Sequence, residues 1–252
     1  MKRKIGCLAV VLAVFWGSNL ARADSEFYVI AAGPTAVGTK ITSVPYEIKN
    51  SGFYYLTGNL NYSGSGNAIT VTANDVTLDL MGFSLTGTGA AETAGIYSNG
   101  RSNVEIRNGT VRNFDAGVVG NNPINGNGNK HRVINVRATN NGGAGIYLAG
   151  KNHLIINCSS SDNGAGLAIF GSGLITDSVA NNNVTGISMT GPGSVLGNTA
   201  CNNTGINFSL GNLVATSILV DRNSAFGLNT NYSNNANPST GVLITGNNSG
   251  TP

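Results

Sequence analysis

The sequence of 252 residues has little charge, few aromatic side chains and no long apolar run. Charged residues make up 10% of the chain and hydrophobic residues 40%. This combination excludes an intrinsically disordered chain, which needs high charge and low hydrophobicity. The apolar run at residues 5–16 is shorter than the roughly 20 residues that cross a bilayer, so no membrane-spanning helix is expected.

The N-terminus has the three parts of a signal peptide. Residues 2–4 form a basic start, the apolar run follows, and residues 21–23 supply the small side chains that the peptidase selects. We therefore predict a signal peptide over residues 1–23. The chain is expected to be exported, to the periplasm, the cell surface or the medium, without a membrane span after cleavage.

Most of the apparent positive charge belongs to this leader. Four of the 14 basic residues lie in residues 1–23, so ten remain in the mature chain against 11 acidic residues. Nucleic-acid-binding domains carry a clear excess of positive charge. The sequence therefore predicts no nucleic acid partner.

Glycine is abundant, with 36 residues, and asparagine recurs throughout. Both tolerate left-handed backbone, so the composition predicts short strands joined by tight turns. One glycine recurs about every 20 residues. It follows a residue that is usually small and precedes an aliphatic residue. The recurring glycines are Gly95, Gly117, Gly145, Gly166, Gly186, Gly205 and Gly227. This period, without a helical pattern inside it, indicates a β-solenoid in which each coil covers the next.

A second register of polar residues supports the same repeat. Asn or Asp follows an aliphatic pair or triplet at Asn108, Asn135, Asn157, Asp177, Asn198 and Asp221. Amides stacked at one level per coil can bond to the coils above and below. We therefore predict that these six residues form a structural ladder.

The mature chain, residues 24–252, is thus predicted to form one all-β domain, a single-stranded right-handed parallel β-helix of about 9–10 coils. Residues 24–45 are expected to cap the N-terminal end, because an open end would expose unpaired strand groups. The stack is expected to end near residues 242–245, either open or against a partner. Cys158 and Cys201 recur at different levels of the repeat, so we expect two buried thiols and no disulfide.

Three segments carry a family resemblance: IKNSGFYYLTGNL at residues 48–60, NDVTLDLMGF at 74–83 and SNVEIRNG at 102–109. They resemble the opening of bacterial right-handed β-helix repeat proteins of the pectate-lyase-like superfamily, and the likeness extends over nearly the whole mature chain. The resemblance implies the fold. It implies no single chemistry, because that superfamily contains lyases, hydrolases, epimerases, phage spikes and adhesins.

The sequence offers one candidate catalytic group. A hydrolase would need clustered aspartates, and there is no Asp-Asp pair, Gly-His-Gly or Arg-x-Lys. A uronate lyase or epimerase needs a base and a cation to neutralise the uronate carboxylate. The candidates are His131, Tyr147, Lys151 and His153, with solvated residues beside turns as the alternative. Calcium is expected only if the protein is a lyase, and no other cofactor is predicted.

Candidate ligand-binding residues are Tyr97, Lys130, Arg132 and, again, Tyr147, because outward tyrosines can stack on sugar rings. A polar insertion at residues 121–129 lies between them and either walls a groove or has no role. The two histidines also suggest a metal site, by resemblance to the β-helix family associated with periplasmic copper handling. No third ligand is evident, so no metal is predicted.

The sequence therefore favours a secreted, non-catalytic β-helix that presents a polar face to polysaccharide or a cell-surface glycan. A uronate lyase or epimerase acting through the histidine group is the first alternative. A structural or partner-binding envelope protein is the second. The oligomeric state is left open.

Overall fold

The computed structural model describes residues 38–98, 100–120, 128–211, 217–227, 230–234 and 242–250. Within these ranges the chain forms strands and turns, and no helix in them has the length and hydrophobicity of a membrane span. The predicted signal peptide, most of the predicted cap and most of the insertion at residues 121–129 lie outside them.

The strands are short and follow one another along the chain. They are β1 (Thr39–Ile41), β2 (Tyr46–Ile48), β3 (Gly52–Leu56), β4 (Leu60–Asn61), β5 (Asn67–Val71), β6 (Val76–Asp79), β7 (Ser84–Thr86), β8 (Ala94–Ser98), β9 (Val104–Arg112), β10 (Ala116–Gly120), β11 (Arg132–Thr139), β12 (Ala144–Ile156), β13 (Ser159–Ser161), β14 (Ala165–Thr176), β15 (Val179–Asn181), β16 (Thr185–Met189), β17 (Gly193–Leu196), β18 (Thr199–Cys201), β19 (Ile206–Leu210), β20 (Ile218–Asp221), β21 (Ser224–Phe226), β22 (Thr230–Asn234), β23 (Val242–Thr245) and β24 (Asn248–Gly250).

All pairings are parallel, and the strands stack into three columns, which we call sheets A, B and C. Sheet A contains β2, β5, β8, β10, the first part of β12, the first part of β14, β16, β19 and β22. Sheet B contains β1, β3, β6, the first parts of β9 and β11, the second parts of β12 and β14, β17, β20 and β23. Sheet C contains β4, β7, the second parts of β9 and β11, β13, β15, β18, β21 and β24.

This arrangement confirms the predicted all-β parallel solenoid. The described strands give about eight turns, somewhat fewer than the roughly 9–10 coils expected. β1 lies inside the predicted cap but is itself a solenoid strand, paired with β3. At the other end, β23 pairs with β20, as expected for the final coils.

One apolar core runs along the inside of the solenoid, because every second residue of a strand points inward. In sheet B, the inward residues Val133, Ile155, Ile175, Val195 and Val220 of successive coils are all at most 1% exposed. Equivalent residues of neighbouring coils stack at the strand spacing of about 4.8 Å. Each coil therefore covers the apolar side chains of the coil before it.

The turns between sheets B and C explain part of the asparagine register. Asn108, Asn135, Asn157 and Asp177 have φ values of 56°, 56°, 51° and 52°, a left-handed conformation that Asn and Asp tolerate. Asn135 Nδ2 donates to Asn108 Oδ1 at 3.2 Å, and Asn157 Nδ2 donates to Asn135 Oδ1 at 2.7 Å. These three asparagines form an exposed ladder, and Asp177 takes the same turn position on the next coil.

The other two predicted ladder residues, Asn198 and Asp221, do not continue this exposed ladder. The left-handed position of the next two coils is taken by Gly197 and Arg222, with φ of 64° and 53°. Asn198 is the following residue and points inward, where its main-chain N–H and Nδ2 donate to Asn223 Oδ1 of the next coil at 2.9 and 3.0 Å. It is therefore a ladder residue, as predicted, but inside the solenoid. Asp221 ends β20 opposite Leu196, which corrects its predicted place in the ladder. The coils differ in length, so spacing counted along the sequence drifts by one residue there.

Another ladder inside the solenoid, at the turn between sheets C and A, was not predicted. Asn141, Asn163, Asn183 and Asn203 occupy the turn between sheets C and A on successive coils and are at most 5% exposed. The main-chain N–H and Nδ2 of each of the first three donate to the next residue's Oδ1 at 2.8–3.1 Å. The ladder satisfies polar groups that would otherwise be costly to bury.

The ladder continues into sheet A and corrects the glycine register. Asn203 Nδ2 donates to Asn207 Oδ1 at 2.7 Å. β16 pairs with β19 so that Thr185 lies opposite Ile206, which places Phe208 rather than Ile206 in the core. Gly205 therefore does not stack on the earlier glycines, because Asn207 takes their place.

The two described cysteines are free, as predicted. Cys158 is buried, and burial raises the pKa of its thiol to about 11. Cys201 is partly exposed on sheet C, so only one of the two thiols is buried.

Candidate functional site

The structure places His131 and His153 inside the solenoid. They stand at the entrance to sheet B, on successive coils, at the position that Val76 and Val104 occupy in the preceding coils. Both are 2% exposed. Their rings stack with centroids 5.3 Å apart and an angle of 6° between the ring planes. The prediction that they face outward is wrong, because each is two residues before an inward aliphatic residue and shares its orientation.

The histidine pair is held without a charged partner. The main-chain N–H of His131 donates to Nδ1 of His153 at 3.2 Å, and the buried Nε2 atoms of both rings have no hydrogen-bond partner. The pKa of each imidazole is lowered to about 4, by burial in both cases and, for His131, also by the neighbouring His153. Main-chain contacts with Val104 and Ala149 oppose the decrease. Both rings are therefore neutral at pH 7.

The pair does not have the geometry of a metal chelate. The lone pair of an imidazole lies in its ring plane, and the two planes are nearly parallel, so the free nitrogens do not converge on one ion. Over the described part of the chain, no three His, Cys, Asp or Glu side chains come together as a possible metal site.

The remaining candidates of the predicted catalytic group lie on the outside. Tyr147 points outward from sheet A, between the buried Ile146 and Leu148. Lys130 and Lys151 are exposed in successive turns between sheets A and B. The solenoid wall separates these side chains from the histidine rings. The structure therefore splits the predicted group and does not bring it together.

An aromatic strip runs along the outer face of sheet A. Tyr97, Val119 and Tyr147 are in direct register on three successive coils. Phe170 is 46% exposed and stacks on Tyr147 with centroids 6.2 Å apart. Tyr97 and Tyr147 are two coils apart, about 10 Å at the strand spacing. We call Tyr97, Tyr147 and Phe170 the aromatic strip.

The strip stands out because the coils that follow it carry small side chains in the same column. The coils after Tyr147 place Ala168, Ser188 and Ser209 at the same position. Partial burial raises the pKa of Tyr147, so its hydroxyl stays protonated and remains a hydrogen-bond donor. Phe170 was not singled out from the sequence. Its signal is its place two residues beyond the outward Ala168, which makes it an outward aromatic residue on the next level of the strip.

The outer face of sheet B carries an ion network in its first coils. Arg107 Nε contacts Asp79 Oδ2 at 2.8 Å and its Nη1 contacts Glu105 at 3.1 Å. Arg132 Nε contacts Glu105 at 3.3 Å, and the Arg107 guanidinium lies 5.8 Å from the Phe53 ring centroid. Of the network, only Arg132 was predicted. The alternation Glu105-x-Arg107 on one strand is the signal that could have found the rest.

Asp79 has a structural role in this network. It is 4% exposed and accepts hydrogen bonds from Asn108 Nδ2 at 3.1 Å and from the main-chain N–H of Met81 at 2.8 Å, besides the contact with Arg107. The carboxylate thus ends the exposed asparagine ladder. Its oxygens are occupied, so it is not available as a base for a bound sugar.

Comparison with protein-family models and with curated proteins finds no match. Among solved structures, the chain is similar to the A-module of a mannuronan C-5 epimerase from Azotobacter vinelandii, with a TM-score of 0.52 and 15% identity. The alignment covers 73% of this chain and 57% of that one. This likeness supports the right-handed parallel β-helix fold. At this identity the likeness concerns the fold of the β-helix alone.

Proposed function

We propose that this β-helix is an exported, non-catalytic protein that binds polysaccharide along the aromatic strip of sheet A. The observation that carries the proposal is the stacked pair of the partly buried Tyr147 and the exposed Phe170, with Tyr97 two coils away from Tyr147 in the same column. Aromatic rings on a flat sheet offer stacking surfaces to sugar rings, and a tyrosine hydroxyl adds a hydrogen bond.

The surroundings of the strip suit a polymer. Its two tyrosines are about 10 Å apart, so an extended glycan chain contacts both at once. Lys130 and Lys151 lie in the turns beside the strip and supply exposed ammonium groups. Ammonium groups can bond to sugar hydroxyls or carboxylates. The small side chains further along the column leave the path of the polymer clear.

We infer that the protein is non-catalytic from the burial, protonation and partners of its histidine, aspartate and glutamate side chains. The two histidines are buried and neutral, and they face the interior. Asp79 and Glu105 are engaged by arginines. A general base must come within hydrogen-bond reach of the proton that it removes.

A uronate lyase or epimerase is the second candidate, favoured by the likeness to an epimerase module. In this case Tyr147 would have to serve as the base and Lys151 or Arg132 as the cation, because these side chains reach the surface. Partial burial, which raises the pKa of Tyr147, works against this role at neutral pH.

The test is to titrate the purified protein with pectate, alginate and neutral glycans by calorimetry, while following unsaturated-uronate absorbance with and without calcium. Removing one stacked ring by Tyr147→Ala or Phe170→Ala is expected to weaken binding by about tenfold, roughly 1.4 kcal/mol. Ser209→Ala, in the same outward column, is the matched control and should leave binding unchanged.

Two results would contradict the proposal. Binding that is unaffected by either aromatic substitution would place the glycan elsewhere. A rise in unsaturated-uronate absorbance that Tyr147→Phe abolishes would make the protein a lyase.

A further inference from the structure

The outer face of sheet B changes character along the solenoid. In the first coils it carries the ion network, whereas from β11 onward its two outward columns are mostly aliphatic. One column runs Arg132, Leu154, Leu174, Ser194, Leu219 and the other Arg107, Ile134, Ile156, Thr176, Leu196, Asp221. We call Ile134, Leu154, Ile156, Leu174, Leu196 and Leu219 the apolar face.

The apolar face is not needed to build the solenoid core. The core is formed by the alternate residues of the same strands, such as Val133, Ile155 and Ile175, which are fully enclosed. The residues of the apolar face are partly exposed, and Leu219 is 37% exposed. On sheet C the outward columns of the same coils hold mainly Ser, Thr and Asn. A contiguous apolar patch on one face of a polar surface marks an interaction site.

The charges at the two ends of the apolar face determine the orientation in which a second copy of the face could pack against it. Arg132, whose side chain is 49% exposed, lies at one end. Asp221 lies at the other end, where it also contacts Arg222 of the following turn. Two copies placed in parallel would bring the two Arg132 side chains together. Two antiparallel copies avoid this repulsion and set the end with Arg107 and Arg132 against the end with Asp221.

From this pattern we infer that the apolar face binds a second copy of this chain, face to face, with the two solenoid axes antiparallel. A twofold axis parallel to the strands, between the coils of Leu154 and Leu174, generates the pairing. It sets Leu154 over the partner's Leu174, and Arg132 over the partner's Ser194. Aliphatic sheets pack in this way at about 10 Å in the cores of β-sandwiches.

The size of the face sets the strength of this contact. It spans five coils, about 20 Å along the solenoid, and is two columns wide. The area of such a face is smaller than the roughly 800 Å² that each partner buries in a typical stable interface. We therefore expect a weak dimer that forms at micromolar concentrations and dissociates on dilution. The inference is independent of the glycan site, which lies on sheet A.

The test is sedimentation velocity of the purified full-length chain over a range of concentrations. The unchanged protein should show a concentration-dependent dimer, and Leu174→Lys should abolish it by placing a charge at the centre of the contact. Ser188→Lys introduces the same charge on sheet A and should leave the dimer intact. Circular dichroism of each variant checks that the fold is kept.

A second pair of variants tests the antiparallel arrangement. Ser194→Glu places a carboxylate opposite the partner's Arg132, twice per dimer, and should tighten the dimer by about 2- to 10-fold. Ser194→Lys should weaken it by a similar factor. A protein that stays monomeric throughout, a dimer that survives Leu174→Lys, or equal effects of the two Ser194 variants would overturn the inference.

Discussion

The stacked histidines make the stability of the solenoid sensitive to mild acid. Each imidazole has a pKa of about 4 in the folded chain, against 6.5 when unfolded. The unfolded chain therefore binds more protons between these two values, so stability is complete above pH 6.5 and falls as the pH decreases towards 4. The loss per histidine is about 2 kcal/mol at pH 5 and about 3 kcal/mol below pH 4.

The matched perturbation is the double variant His131→Val, His153→Val. Val104 holds the same inward position one coil earlier, so valine fits the local packing. At pH 7 the variant should be within about 2 kcal/mol of the unchanged protein, since the loss of two unpaired nitrogens offsets a small cavity and the loss of the hydrogen bond from the residue 131 main-chain N–H to His153. Between pH 7 and pH 5 the difference should shift by about 4 kcal/mol in favour of the variant, the sum for both histidines.

The assay is urea unfolding followed by circular dichroism, at steps from pH 7.5 to pH 4.5. Carboxylates contribute to acid sensitivity in both proteins, so the quantity to compare is the difference between them at each pH. A difference that grows as the pH falls below 6.5 supports the buried, neutral state of the pair. A difference that stays constant across this range would refute it.

Three further predictions concern single side chains. Asp79→Ala should lower the free energy of unfolding by about 3–5 kcal/mol in urea titrations, because it leaves the partly buried Arg107 without its short contact. Asn183→Ala should cost about 2–3 kcal/mol in the same assay by breaking the interior ladder, whereas the exposed neighbour Asn182→Ala should cost under about 1 kcal/mol. A thiol reagent should label Cys201 in the folded protein and Cys158 only after unfolding, as mass spectrometry of each peptide would show.

The repeat could be predicted because its signals are local. Asn108, Asn135 and Asn157 sit in left-handed turns, and that preference belongs to the residue itself. The same reasoning predicted short strands and parallel stacking. The register of distant coils could not be obtained in this way, because the pairing of β16 with β19 depends on contacts between strands.

The candidate site was harder to predict because the types of its residues suggested the wrong location for their side chains. His131 and His153 suggested surface chemistry, yet the strand alternation that buries Val133 and Ile155 also buries them. The interior asparagines were missed for a related reason. A polar residue in a core is unexpected unless its partners are known, and those partners lie one coil away.

The interior asparagine ladder makes the coil the natural unit of length change. The rungs between Asn141 and Asn203 are the same: each asparagine donates to the corresponding asparagine one coil further along. Removal of residues 163–182 would join Asp162 to Asn183 and bring Asn141 against Asn183, which restores an identical rung. A deletion that is not a whole number of coils would leave a donor without its acceptor. The chain can therefore gain or lose whole coils while the hydrogen bonds between successive asparagines of the ladder are kept.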